Sequence, residues 1–253
     1  MEAQRRIRSF VLRAGRITAG QERALSELWP IYGLDVGDAP LDLDGVFGRA
    51  APRCLEIGFG AGEVIGTLAQ INPHIDYLGV EVHRPGVGRL LLRAEQAKLT
   101  NLRVICRDAV EVMRIVIGEQ SLDEILVFFP DPWHKKRHQK RRLIAPQFVH
   151  CAASRLRAGG VLRLATDWQA YAEQMLQVCN ASAQLTSLSP DKTYVPRPDF
   201  RPPTRFETRG ARLGHDVWDL AYAKAGPREA LCEKAAANSI DDELHRQGRQ
   251  DHS

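Results

Sequence analysis

Short apolar runs alternate with amphipathic stretches over more than a hundred residues from Arg53 onward. The runs Arg53–Ile57, Tyr77–Val82, Leu102–Cys106, Ile125–Phe129 and Val161–Ala165 predict five strands. Ile125–Phe129 is apolar throughout, the pattern of a central parallel strand covered on both faces. Between them, Val64, Leu68 and Ile71 share one helical face, as do Val87, Leu90, Leu91 and Ala94. Phe148, Cys151, Ala152 and Leu156 mark a helix ending at Gly159-Gly160, and Tyr171, Met175 and Val178 mark another. Strand–helix alternation of this kind predicts parallel βα units, and so a doubly wound α/β sheet.

The flanks read differently. A short helical pattern, Gln21 to Trp29, is expected to stop at Pro30. Prolines and polar residues from Ser187 to Pro203 predict a loop, followed by a strand over 204–209, a turn over Gly210–Gly214 and a strand over Val217–Tyr222. That hairpin would close the sheet edge. Beyond Gly226 the chain is polar, with a weak helical pattern from Glu229 to Ala237. The expected organisation is a basic N-terminal arm (1–34), one catalytic domain (35–225) and a polar, flexible tail (226–253).

At 253 residues, 44% hydrophobic and 26% charged, the chain has the composition of a soluble globular protein. No apolar run approaches membrane-spanning length, and the start of the chain lacks the apolar core of a signal peptide. Its five cysteines are scattered without a C-x-x-C pair, which predicts reduced thiols, no metal site and a cytoplasmic location. Net charge is only +4, but it is unevenly placed. Arg5, Arg6, Arg8, Arg13 and Arg16 crowd the N-terminus, as a solvated arm or one that touches nucleic acid. Six Lys or Arg residues lie between Lys135 and Arg142.

The candidate chemistry begins where the first strand meets a glycine turn, Leu55 to Glu63, with Gly58, Gly60 and Gly62 spaced by two. Such a turn lets a ligand lie against bare backbone at the strand's carboxyl end. A dinucleotide fingerprint would place a third glycine at position 63, where this chain has Glu63, and Glu56 precedes the turn. Two carboxylates suit a phosphate poorly and suit a cationic ligand, such as the ammonium and sulfonium of S-adenosylmethionine. Glu81 lies about 20 residues past the turn, where an acid binds a ribose diol. Asp108 follows the third strand, beside an expected adenine, and also reads as a helix cap. Asp131 and Asp167 complete a set of five acids at or near five successive strand ends.

Phe129-Pro130-Asp131-Pro132-Trp133 is a proline-stiffened loop placing an aromatic beside a carboxylate, suited to a flat base with a polar edge. The adjoining cations Lys136, Arg137, Lys140, Arg141 and Arg142 are expected to contact RNA phosphates. A nicotinamide-dependent oxidoreductase fits Glu56 and Glu63 badly. A non-catalytic RNA-binding protein leaves the strand-end acids without a role, and a methyltransferase acting on another nucleic-acid nitrogen stays open.

On Leu55–Glu63, Gly79–Gly88, Asn101–Ala109, Phe129–His138, Ala165–Trp168 and Arg201–His215, the chain resembles the bacterial tRNA (guanine-N7-)-methyltransferase family. Ser9–Arg16 and Trp29-Pro30 also fit. The similarity covers about residues 5 to 223 and leaves out the tail. Where the family commonly has Lys in Thr-Lys-Phe-Glu, this chain has Arg205. The resemblance implies a Rossmann-like methyltransferase fold and methyl transfer from S-adenosylmethionine to a variable-loop guanine (position 46) of tRNA. It assigns Glu56, Glu81, Asp108 and Asp131 to the cofactor side, and Lys135, Asp167 and Thr204, Arg205, Phe206 and Glu207 to the substrate side. Asp131 is the expected catalytic residue. The oligomeric state, monomer or homodimer, is not legible.

Overall fold

β1 (Arg53–Ile57) is buried along its whole length and anchors the sheet. In the computed structural model, which describes residues 9–10, 16–203, 207 and 216–226, it lies between β2 (Asp76–Val80) and β4 (Leu122–Phe128), parallel to both. β3 (Leu102–Ile105) extends the sheet beyond β2, and β5 (Leu156–Thr166) extends it beyond β4, again in parallel. β7 (Trp218–Lys224) runs antiparallel to β5, and β6 (Leu185–Ser187) pairs antiparallel with β7 at the edge. The order is β3-β2-β1-β4-β5-β7-β6, a mostly parallel Rossmann-like sheet with an antiparallel C-terminal end.

That end corrects one detail. The partner of the last strand among the described residues is 185–187, not the expected strand over 204–209, which lies outside them except for Glu207. The expected turn over 210–214 and the helix over 229–237 also lie outside the described residues.

The helices are α1 (Ala19–Arg23), α2 (Trp29–Tyr32), α3 (Leu43–Phe47), α4 (Glu63–Ile71), α5 (Arg84–Gln96), α6 (Ala109–Glu111), α7 (Pro146–Arg155) and α8 (Gln169–Asn180). Strand side chains alternate between two cores. Leu55, Ile57, Ile125, Val127, Leu162 and Leu164 pack with α7 and α8 residues such as Phe148 and Met175. Cys54, Tyr77, Leu126 and Phe128 pack on the other face with Ile65 of α4 and Leu90 of α5. Glu56 faces that second layer, the one carboxylate in an otherwise apolar and basic strand.

Two boundaries differ from the sequence pattern. Pro30 does not end the first helix; a π-helical turn (Ala24–Leu28) precedes it, and Pro30 falls in the first turn of α2, where a missing N–H costs no hydrogen bond. Ala24, Leu28 and Tyr32 are buried, so residues 19–32 belong to the body of the domain rather than to an arm. α7 stops at Arg155 rather than at the glycines. Leu156 already pairs with Leu122, and the register shifts before Val161 pairs with Glu124, so Gly159-Gly160 sit in a strand irregularity.

Candidate active site

The strand order reverses between β1 and β4, the point at which open α/β sheets bind ligands. A cleft of about 370 Å³ opens there, lined by Glu56, Gly58, Gly60, Glu81 and Asp131, together with Phe59, Glu63, His83 and Phe129. Five of the six expected cofactor-side residues therefore meet in one place. Asp108 does not line the cleft. It caps α6, its Oδ1 accepting the Val110 N–H at 2.9 Å, while its neighbours Arg107 and Ala109 border the cleft.

The glycine turn is left-handed at Gly58 and Gly60 (φ 72° and 56°), and the space where their Cβ atoms would stand is open. A side chain there would be strained and would occupy the ligand's space. α5 closes on the same turn, since a Cβ on Gly86 would stand 2.0 Å from the Gly60 carbonyl oxygen.

Glu81 lies just beyond β2 and fastens this turn. Its Oε2 accepts the Gly60 N–H at 2.9 Å, and its Oε1 accepts the Val82 and His83 N–H groups at 2.7 and 2.9 Å. Three donors fix the carboxylate before any ligand arrives, with lone pairs left for hydroxyl donors.

Glu56 is the opposite case. It is 3% exposed, and its Oε2 has no hydrogen-bond partner among the described residues. Burial raises its pKa to about 8, opposed by the Ile65 N–H and assisted by the negative Glu81. A buried carboxyl left with an orphan oxygen beside an open cleft is poised for a donor from a ligand. An ammonium group supplies both the proton donor and the charge. The pair of carboxylates and the bare glycine turn fit S-adenosylmethionine on both counts.

The Asp131 loop is held from several sides. Its ends are left-handed at Phe129 (φ 54°) and Trp133 (φ 48°), conformations that bulky residues adopt only when their surroundings impose them. The Phe129 N–H bonds the Ala165 carbonyl of β5 at 2.8 Å. The buried Arg201 guanidinium lies 5.0 Å from the Phe128 ring centre and 5.5 Å from that of Phe129. Trp133 Nε1 donates to the Ser9 carbonyl at 3.1 Å, and Arg141 stacks over the Trp133 ring at 4.9 Å.

The basic run divides. Lys135, Lys136, Arg137 and Lys140 are exposed, and Arg141 is half-buried on Trp133. Arg142 corrects the expectation of a phosphate contact. It is 5% exposed, and it donates from Nε to the Pro132 carbonyl and from Nη1 to the Ala170 carbonyl and Gln174 Oε1. Its sequence neighbours hid this, since nothing in a charge run says which member turns inward.

The expected substrate-side residues are only partly gathered. Asp167 follows β5, half-buried and outside the cleft lining, with its neighbour Trp168 packing on His134 of the Asp131 loop. Glu207 is buried and already paired, accepting from Arg197 Nε at 3.0 Å and Arg201 Nη2 at 2.8 Å, while Arg201 also clasps Asp219. Thr204, Arg205 and Phe206 lie outside the described residues. Two contributors were missed from sequence: Ser9-Phe10, which line the cleft, and Arg201, an arginine in a proline-rich stretch that read as loop. Among the described residues no group of three or more His, Cys, Asp or Glu side chains could hold a metal ion, and no helix is long and apolar enough to cross a membrane.

Comparison with known proteins points to methyltransferases. Residues 50–220 match a family model described as "Putative methyltransferase". The tRNA (guanine-N(7)-)-methyltransferase of Serratia proteamaculans (strain 568) is 54% identical over 222 residues, covering 88% of this chain and 93% of that protein. The enzyme of the same name from Yersinia enterocolitica is 53% identical over the same length. Among solved structures, the 16S rRNA methyltransferase KamB superposes with a TM-score of 0.53 at 15% identity, covering 78% of this chain and 99% of that one. A 16S rRNA (adenine(1408)-N(1))-methyltransferase from Catenulisporales acidiphilia, carrying its cosubstrate, superposes with a TM-score of 0.52 at 14% identity over 77% of this chain and 94% of its own. Those two likenesses concern the fold. The chain belongs to the tRNA (guanine-N(7)-)-methyltransferase family.

Proposed function

We propose that this protein transfers a methyl group from S-adenosylmethionine to N7 of a variable-loop guanine in tRNA, giving 7-methylguanosine, and that it does so in the cytoplasm. The observation that carries the reading is the placement of Asp131 in one cleft with Glu56 and Glu81, in a chain whose relatives bear that activity in their names.

The bound cofactor supplies a methyl group on a sulfonium, a leaving group that needs no further activation. Glu56 would accept from its ammonium group and balance its charge, Glu81 would accept from its ribose hydroxyls, and the bare glycine turn would leave room for it. Guanine N7 carries no proton and presents its lone pair in the ring plane. The chain therefore has no proton to remove, and its task is alignment and charge stabilisation. Asp131, in its stiff loop, positions the reactants and stabilises the positive charge that spreads onto the purine. Lys135 and Asp167 serve the substrate side, Asp167 reading donors on the guanine Watson–Crick edge, and Thr204, Arg205 and Phe206 are assigned to substrate binding with them. Glu207 supports that side through its pairs with Arg197 and Arg201. Lys136, Arg137, Lys140 and Arg141 bind tRNA phosphates, which fix register without reading sequence.

The test is incubation with labelled S-adenosylmethionine and bulk tRNA, followed by nucleoside analysis. Label in 7-methylguanosine is the expected result. Label in another nucleoside, or none, would contradict the reading.

A further inference from the structure

Four large hydrophobic side chains are prominently exposed among the described residues, and one of them, Trp168, packs on His134 of the loop whose Asp131 lines the cleft. It is 37% exposed and follows β5 directly, beside Asp167. The other three, Ile31, Ile71 and Leu188, lie at the end of α2, the end of α4 and just past β6. Exposing an indole has a cost in water, so its surroundings are informative.

Two features hold Trp168 in place. His134, three residues past Asp131 in the same loop, packs against it with ring centres 4.2 Å apart and planes at 75°. Its backbone begins α8, its carbonyl accepting the Tyr171 and Ala172 N–H groups, while Arg142 Nη1 binds the neighbouring Ala170 carbonyl. Phe129 N–H to Ala165 C=O joins the two strand ends from which both aromatic residues project. Trp168 is thus fixed to the Asp131 loop on one side while part of its indole stays open.

Methyl transfer to a ring nitrogen needs such a surface. The in-plane lone pair must point at the methyl group, so the faces of the base have to be held by something other than the cofactor. A guanine drawn out of folded RNA into such a cleft leaves its stacking partners, and unstacking costs a few kcal/mol. An exposed aromatic face replaces that stacking, contributing roughly 1–3 kcal/mol per base.

On the proposed reading of the site, we propose that Trp168, braced edge-to-face by His134, is the stacking platform for the guanine drawn from the tRNA. Asp167 then meets the polar edge of a base whose face lies on the adjacent indole, and N7 is left free toward the cleft. Trp168 positions the acceptor without joining the chemistry.

The test compares wild type, Trp168→Ala and Trp168→Phe in steady-state methylation of tRNA, cofactor titration and fluorescence titration with tRNA. The expected loss in kcat/KM for tRNA in Trp168→Ala is roughly 5- to 150-fold, the range that base stacking spans. Cofactor affinity should be unchanged, and Trp168→Phe, which keeps an aromatic face, should recover most of the loss. Added tRNA should quench the wild-type indole emission, and the quench should shrink in Trp168→Phe, a readout that a purely structural tryptophan would not move. Full kcat/KM in Trp168→Ala, or equal losses in the Ala and Phe variants, would overturn the platform while leaving the methyltransferase reading intact. A wild-type protein that makes no 7-methylguanosine would overturn both.

Discussion

Arg142 Nε donates to the Pro132 carbonyl at 2.9 Å, so the last cation of the basic run fastens the loop that carries Asp131. The same guanidinium lies 4.7 Å from the centre of the buried Tyr171 ring and binds the first turn of α8. One side chain thereby ties the Asp131 loop to the helix that follows Asp167 and Trp168.

Arg142→Gln and the triple change of Lys136, Arg137 and Lys140 to Gln should therefore behave differently. The first leaves buried carbonyls unpaired and should lower stability by about 1–3 kcal/mol, with the salt dependence of tRNA binding unchanged. The triple change should leave the Tm near wild type, raise the KM for tRNA and reduce the salt slope by about 0.7–0.9 for each phosphate no longer neutralised. Thermal melts and tRNA binding at several salt concentrations check both. A lowered salt slope in Arg142→Gln would return that residue to the RNA-binding surface.

Much of this was legible in the chain. Short apolar runs and helical patterns located five strands and the helices between them, because a parallel sheet buried on both faces leaves continuous apolar runs. The glycine turn and Glu56, Glu81 and Asp131 could be placed in one crevice because parallel strands end on the same side. What stayed hidden depends on which way a side chain turns. Arg142 reads like its neighbours, yet it is buried. Arg201 sits among prolines, yet it is 1% exposed and clasps Asp219 and Glu207 beneath Phe128 and Phe129. Glu207, expected on the substrate side, is held by two arginines that its sequence position did not reveal. Long-range ion pairs leave no periodic trace in a sequence, and neither does the Trp133–Ser9 hydrogen bond across more than a hundred residues.

Glu56 should make cofactor binding pH-dependent. Burial favours its neutral form in the folded, unliganded protein, with a pKa of about 8 against an ordinary value of 4.5. Its contribution to stability is complete below about pH 4.5 and is lost as pH rises through about 8, so the Tm of the unliganded protein should fall across that window, less so in Glu56→Gln. A cationic ligand reverses the preference and draws the proton off. Calorimetry near pH 7 in buffers of different ionisation enthalpy should show proton release on binding S-adenosylmethionine, absent in Glu56→Gln. Binding without proton release in wild type would mean that Glu56 stays neutral under the ligand.

Glu81→Ala should weaken S-adenosylmethionine binding by about 1.5–3 kcal/mol, the value of a hydrogen-bonded charged group, while tRNA affinity changes little. The loss has two sources: the missing acceptor for the ribose hydroxyls, and the released N–H groups of Gly60, Val82 and His83. Titration with each ligand separately checks this. Unchanged cofactor affinity would remove Glu81 from the cofactor side.

Single-turnover methylation of tRNA at saturating S-adenosylmethionine, for wild type and Asp131→Asn across neutral to mildly alkaline pH, addresses the chemistry itself. Asp131→Asn keeps the shape of the side chain and removes its charge. Its rate should fall steeply while tRNA affinity, which resides mainly in phosphate contacts, is retained. The wild-type rate should show no titration that disappears with Asp131, because no proton leaves guanine N7. A near-wild-type rate in Asp131→Asn, or a wild-type pH step abolished by the substitution, would contradict transfer to N7 by alignment and charge stabilisation at Asp131.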